Sequence, residues 1–207
     1  MQELLVVEVI PREKGRTSIR FDNGMEVLLY KGEVRKLSLR EGTVISRKKY
    51  DEIIYEILGT RAKKRAMFLL ERMDRTEHQL REKLMQNGYP DVCVDLAVEY
   101  VRKYHYIDDL RYATTYISYQ QKKKGRQKLK MDLIAKGIEK SVIEQALDEV
   151  FDSDEQLKIR QLLEKKHYEP KECDRKEQQK IYQYLMRRGF KSSDILHVMK
   201  IWDEYEE

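Results

Sequence analysis

The chain has 207 residues, 41% hydrophobic and 38% charged, with nine glycines, three prolines and a formal net charge of +5. That length supports a hydrophobic core without metal or disulfide staples, and the composition suits amphipathic helices with narrow apolar stripes. No run of about 18 apolar residues occurs, and the N-terminus lacks the charged start, apolar run and small-residue cleavage site of a secretion signal, so a cytoplasmic protein without membrane contact is expected.

Leu4 to Ile10 is an apolar, β-branched run halted at Pro11. Ser18 to Phe21 alternates polar with apolar up to Asp22-Asn23-Gly24, a tight-turn signal, and Met25 to Tyr30 offers a returning strand. Further turns are expected near Gly32 and at Gly42-Thr43. Residues 1–45 therefore read as a small antiparallel β subdomain. Beyond Ser46, a candidate N-cap, Tyr50, Ile53, Ile54, Ile57 and Leu58 follow helical spacing until Gly59 punctuates the pattern. Residues 46–59 are read as a linker helix.

An internal repeat follows, marked by Asn87-Gly88-Tyr89, Lys136-Gly137-Ile138 and Arg188-Gly189-Phe190. Leu80, Leu129 and Ile181 precede each glycine by eight residues, and Leu84, Leu133 and Leu185 by four. Val94, Ile143 and Ile195 follow at six, Ala97, Ala146 and Val198 at nine, and Val101, Val150 and Trp202 at thirteen. These spacings predict a helix ending at a glycine of positive φ, a tight turn, and a second helix packing back. A further helix precedes each pair, over Ala62 to Met73, Asp108 to about Gln121, and Asp154 to Lys166. Thr76-x-x-Gln79, Ser141-x-x-Glu144 and Asp174-x-x-Glu177 read as capping boxes, the last starting about a turn early. The predicted organisation is thus mainly α: three-helix repeats at 60–104, 105–151 and 152–207, stacked in an elongated curved array.

The charge is unevenly spread. Lys122, Lys123, Lys124, Arg126, Lys128 and Lys130 form a run without one acid, whereas the end from Asp203 to Glu207 is acidic. Such a run either contacts phosphates, releasing their condensed counterions, or solvates a loop and helix start. The absence of acids, and the opposition between cations and the dipole at a helix start, favour contact. Arg61, Lys63, Lys64 and Arg65 make a second cluster, either a contact or a solvated helix face. Asp108 and Asp109 look like catalytic carboxylates but suit a helix start better. Tyr112, Tyr116 and Tyr119 recur at helical spacing and fit packing better than base stacking. His78, His105, His167 and His197, like Cys93 and Cys173, lack metal-ligand spacing. The cysteines are expected to be reduced and buried. With no phosphate-cradling glycine motif, nucleophile elbow or paired-carboxylate signature, no catalytic residue, metal or cofactor is expected.

Ile107-Asp108-Asp109-Leu110-Arg111-Tyr112-Ala113, followed by Gly125, Leu129, Leu133 and Lys136-Gly137-Ile138, resembles the central motif of the RecX family of recombinase regulators. Ala66-Met67-Phe68-Leu69-Leu70 with Arg75-Thr76-Glu77 and Leu80 is similar to that family's first repeat, and the β subdomain resembles the extension of its longer members. Leu110 stands where an acid is usual and Tyr112 where Phe is commoner. The resemblance implies a regulator that binds in the groove of the RecA–DNA filament and restrains strand exchange, ATP hydrolysis and cleavage of the damage-response (SOS) repressor. On that reading the partners are the RecA filament and single- and double-stranded DNA, bound without sequence preference by a monomer through Lys122, Lys123, Lys124, Arg126, Lys128, Lys130, Lys63, Lys64 and Arg65. The residues alone leave two alternatives, a DNA-binding helical module such as a transcription regulator and an accessory subunit recognising only protein.

Overall fold

The computed structural model describes residues 3–169 and 173–204, with side chains through residue 200. Trp202 and the acidic C-terminal side chains therefore lie outside the described residues. Two compact units emerge, residues 1–108 and 109–207.

In the first unit, β1 (Glu3–Pro11), β2 (Arg16–Phe21), β3 (Glu26–Tyr30) and β4 (Val44–Ser46) form an antiparallel sheet in the order β3-β2-β1-β4. Val9 pairs with Ile19, Ile19 with Val27, and Leu4 with Ile45. The turn at Gly24 has φ +80°, and Asn23 Oδ1 accepts the Met25 N–H at 3.0 Å, as the Asp-Asn-Gly signal requires. Gly32 differs from expectation. It lies within a short helix, α1 (Lys31–Lys36), because the Glu33 carboxylate returns to the Tyr30 N–H at 2.8 Å and holds the first turn.

Gly59 is a second difference. Its φ of −61° and ψ of −45° are helical, and the chain runs without a break through α2 (Arg47–Asp51), a π-helical stretch (Glu52–Gly59) and α3 (Thr60–Arg72). Glycine serves here as a gap rather than a stop. A Cβ at this position would lie 3.2 Å from Leu96 Cδ1 on the crossing helix α5 (Asp91–Lys103). The segment is also more than a linker, since Ile53, Ile54 and Leu58 are buried in one core with Val6, Ile19 and Leu29 of the sheet and Leu80, Leu84, Val94 and Val98 of the first repeat. Sheet and first repeat therefore share a single interior.

Three three-helix units follow in order: α3, α4 (Glu77–Gln86) and α5; then α6 (Asp109–Gln120), α7 (Arg126–Ala135) and α8 (Lys140–Val150); then α9 (Glu155–Glu164), α10 (Arg175–Arg187) and α11 (Ser192–Glu204). The middle helix of each ends alike. Gly88, Gly137 and Gly189 have φ of +85°, +80° and +81°. The next residue, Tyr89, Ile138 or Phe190, sends its N–H back to the carbonyl of Leu84, Leu133 or Leu185. This is a Schellman closure, with the apolar residue after the glycine packed toward the buried leucine. The second and third units each have their own core, around Leu129, Leu133 and Ile143 and around Ile159, Leu185 and Ile195.

Of the three expected capping boxes one forms in full and a second by half. Thr76 and Gln79 form a reciprocal box, and the Asp174 carboxylate accepts the Glu177 N–H at 2.7 Å. Ser141 does not cap. Helix α8 starts two residues earlier with Glu139 at its cap, and Ser141 Oγ donates to Glu139 at 2.8 Å. Glu144, the expected reciprocal partner, is drawn away by cations of α7. Cys93 is fully buried, its thiol donating to the Ile54 carbonyl at 3.3 Å, and burial pushes its pKa up to about 11. Cys173 is free but only half-buried.

Candidate functional site

The cationic run lies in the turn between α6 and α7 and along α7. Its lack of acids is true of the sequence and untrue of the fold. Lys124 Nζ lies 2.7 Å from Asp132 and Lys128 Nζ 2.8 Å from its other carboxylate oxygen, while Tyr116 donates to Asp132 at 2.9 Å. Arg126 meets Glu144 at 3.0 Å and Asp148 at 3.2 Å, both on α8, and Lys130 also pairs with Glu144. Helical spacing explains Lys128 with Asp132, four residues on. The other partners come from neighbouring helices or across the turn.

The electrostatics follow from these contacts. Burial works to raise the pKa of Asp132, but hydrogen bonds from Lys124, Lys128 and Tyr116 outweigh it and hold the carboxyl below its usual range. Burial likewise works to lower that of Lys124, and bonding to Asp132 and Tyr116 raises it instead. Hydrogen bonding from Lys130 leads in lowering that of Glu144. Lys122 and Lys123 are exposed, and no carboxylate pairs with either among the described residues.

The run also carries a packing duty that sequence reading missed. Gly125 N–H donates to the Arg188 carbonyl at 2.8 Å, and Arg188 returns a guanidinium bond to the Lys123 carbonyl at 2.7 Å. Glu155, buried on α9, accepts the Arg126 N–H at 2.7 Å. It places a negative charge at the start of α7, where the cations had seemed to oppose the dipole unaided. A Cβ on Gly125 would lie 2.5 Å from the Gly189 carbonyl oxygen. The third repeat thus docks by its glycine turn onto the backbone of the basic loop. No local pattern around residues 122–130 marks Arg188 or Glu155 as neighbours.

The second cluster divides. Arg61 pairs with Glu33, covers the Tyr30 ring at 4.4 Å and donates to the Leu28 carbonyl at 3.3 Å. Lys63 stands 5.7 Å from the Tyr100 ring centroid and Arg65 5.2 Å from that of Phe68, while Lys64 is exposed. Asp108 and Asp109 stand at the start of α6, where capping was expected. Tyr112 and Tyr116 pack against the second core, whereas Tyr119 is 78% exposed. Among the described residues no group of three or more His, Cys, Asp or Glu could hold a metal ion, and no helix is long and apolar enough to cross a membrane.

Glycine-locked three-helix repeats with a cationic turn, partly paired and partly open, define a mainly helical repeat protein. Family models described as the first, second and third three-helix domains of RecX match residues 62–100, 108–147 and 153–199. The chain belongs to the RecX family. It is 30% identical over 199 residues to regulatory protein RecX of Clostridium acetobutylicum, covering 94% of this chain and 93% of that one. To regulatory protein RecX of Caldanaerobacter subterraneus subsp. tengcongensis it is 29% identical, covering 93% and 96%. A crystal structure of regulatory protein RecX matches with a TM-score of 0.63 at 25% identity, covering 95% of this chain and 99% of that one. The RecX structure from Lactobacillus salivarius, at 24% identity and a TM-score of 0.61, shares the fold over 71% of the chain.

Proposed function

We propose that this protein regulates the bacterial RecA recombinase in the cytoplasm, binding the RecA–DNA filament as a monomer and restraining its ATPase, strand-exchange and repressor-cleaving activities without chemistry of its own. The observation that carries the reading is the run of three matched RecX domains, each with its closing glycine turn.

Lys122, Lys123 and Lys64 are the cations first offered to DNA phosphate, because each is exposed and pairs with no carboxylate among the described residues. Lys124, Arg126, Lys128 and Lys130 can join only by exchanging Asp132, Glu144 or Asp148 for phosphate. Exposed ion pairs are worth about 0–1 kcal/mol, so the exchange is cheap for Arg126 and Lys130. It costs more for Lys124, which is also held by Tyr116. Lys63, turned toward Tyr100, contributes field more than direct contact.

The test measures RecA ATP hydrolysis and strand exchange with the parent protein, with Lys122→Glu/Lys123→Glu, and with Lys124→Glu/Arg126→Glu/Lys128→Glu. The double variant is expected to keep the parent's melting temperature and lose most of its inhibition. The triple variant is expected to lose stability as well, because it removes the partners of Asp132 and Asp148. A parent protein that leaves both reactions unchanged sinks the reading. A double variant as inhibitory as the parent removes Lys122 and Lys123 from the contact surface.

A further inference from the structure

We propose that the cleft between the β-sheet and the first repeat binds a phosphate-bearing nucleotide, either free or as a unit of a nucleic-acid strand. This site lies in the first unit, away in sequence from the turn at 122–130, and does not depend on the reading above. The cleft encloses about 360 Å³, within the range of small-molecule sites. Its walls carry Lys14 from the β1–β2 turn, Arg16 at the start of β2, Arg61 and Arg65 from α3, and the aromatic side chains of Tyr30 and Tyr89. No carboxylate lines it. Arg61 is paired with Glu33, which leaves Lys14, Arg16 and Arg65 without a carboxylate among the described residues; three like charges around one cavity repel one another, an arrangement that a bound anion relieves.

Two features give the cleft the character of a prepared site. Arg61 is clamped by Glu33, the Leu28 carbonyl and the Tyr30 ring, so its guanidinium is held before any ligand arrives. Arg65 has no carboxylate or hydrogen-bond partner for its Nε among the described residues, and its guanidinium lies 5.2 Å from the Phe68 ring, so a turn of the side chain would bring it to a phosphate oxygen. Tyr89 is desolvated beside both arginines, and burial raises its pKa, so the hydroxyl stays protonated and able to donate. Guanidinium forks match phosphate geometry, and the tyrosine rings offer a surface to the attached base.

The experiment is isothermal titration of the full-length protein with inorganic pyrophosphate, with thymidine monophosphate and with a short oligothymidylate, repeated on Lys14→Asn and Arg65→Gln. Lys14 sits in an exposed turn at φ +57°, a conformation asparagine tolerates, so that variant will fold even if Arg65→Gln does not. Loss of a charge-assisted contact is expected to weaken binding about tenfold. Binding of pyrophosphate and the mononucleotide, weakened in either folded variant, supports a free nucleotide. Binding of the oligonucleotide alone, weakened by Lys14→Asn but unaffected by Lys122→Gln/Lys123→Gln, supports a strand. If the parent binds none of the three, or Lys14→Asn and a folded Arg65→Gln bind as the parent does, the site does not exist.

Discussion

At Gly125 one methyl group is too many. The position has ordinary negative φ, so backbone freedom is not what demands glycine. The demand comes from the Gly189 carbonyl oxygen and, at 2.9 Å from the same imagined Cβ, from Glu155 Oε1. Gly125→Ala must push the third repeat off the basic turn, and overpacking of this kind costs about 1–3 kcal/mol. Urea unfolding should show that loss. Asp132 offers a test by pH. Its folded pKa is depressed, so the stability it contributes is present above the unfolded value near 3.9 and is lost as pH falls through the lower folded one. Lys124, with its pKa raised, contributes stability that is present below its unfolded value of about 10.4 and lost as pH rises through the folded one. Asp132→Asn should therefore be less stable than the parent at pH 7, and the gap should close on acidification below about pH 4. An equal gap at both pH values would show that the carboxylate's charge contributes nothing.

Among the helices, motif and contact part company at the caps. Thr76-x-x-Gln79 and Ser141-x-x-Glu144 are equivalent as strings, yet Thr76 is fully buried and bonded to the Gln79 N–H, while Ser141 is exposed and faces Glu139. Thr76→Ala should cost about 1 kcal/mol or more, since it strands a helix N–H in the interior. Ser141→Ala should stay within about 0.5 kcal/mol of the parent, as surface substitutions do. Thermal melts of the two single variants distinguish them. Gly59 teaches a related lesson. Beside Leu58, a glycine reads as a helix end, and only the approach of Leu96 reveals why a continuous helix keeps one there.

Across the molecule, the sheet and the first repeat stand or fall together because they bury one core. Ile53, fully buried in the π-helical stretch, belongs to both. Ile53→Ala should cost about 2–5 kcal/mol. Hydrogen exchange should quicken in β2 and in α5 alike, with the second and third repeats, which have cores of their own, changed less. Exchange confined to the sheet would mean that the N-terminal strands form a separate domain after all. The same sharing gives those strands a reason to be present. They cover the first repeat and supply Lys14 and Arg16 to a cleft that α3 could not close alone.

The triple glycine motif, its flanking apolar positions and the RecX resemblance were all legible in the sequence. The motif and its apolar positions rest on local rules, namely 3.6-residue periodicity, the φ that only glycine adopts cheaply, and the alternation of strands, whereas the resemblance rests on particular residues such as Ile107 to Ala113. The sheet's turn at Gly24 and the burial of Cys93 were legible from the same local rules. Which cations remain open was not. Asp132 lies four residues from Lys128, but Glu144, Asp148, Glu155 and Arg188 reach the basic turn only after α8 and the third repeat have packed. Charge pairing depends on distance in space, and in a tandem-repeat chain that distance is set by how neighbouring helices dock.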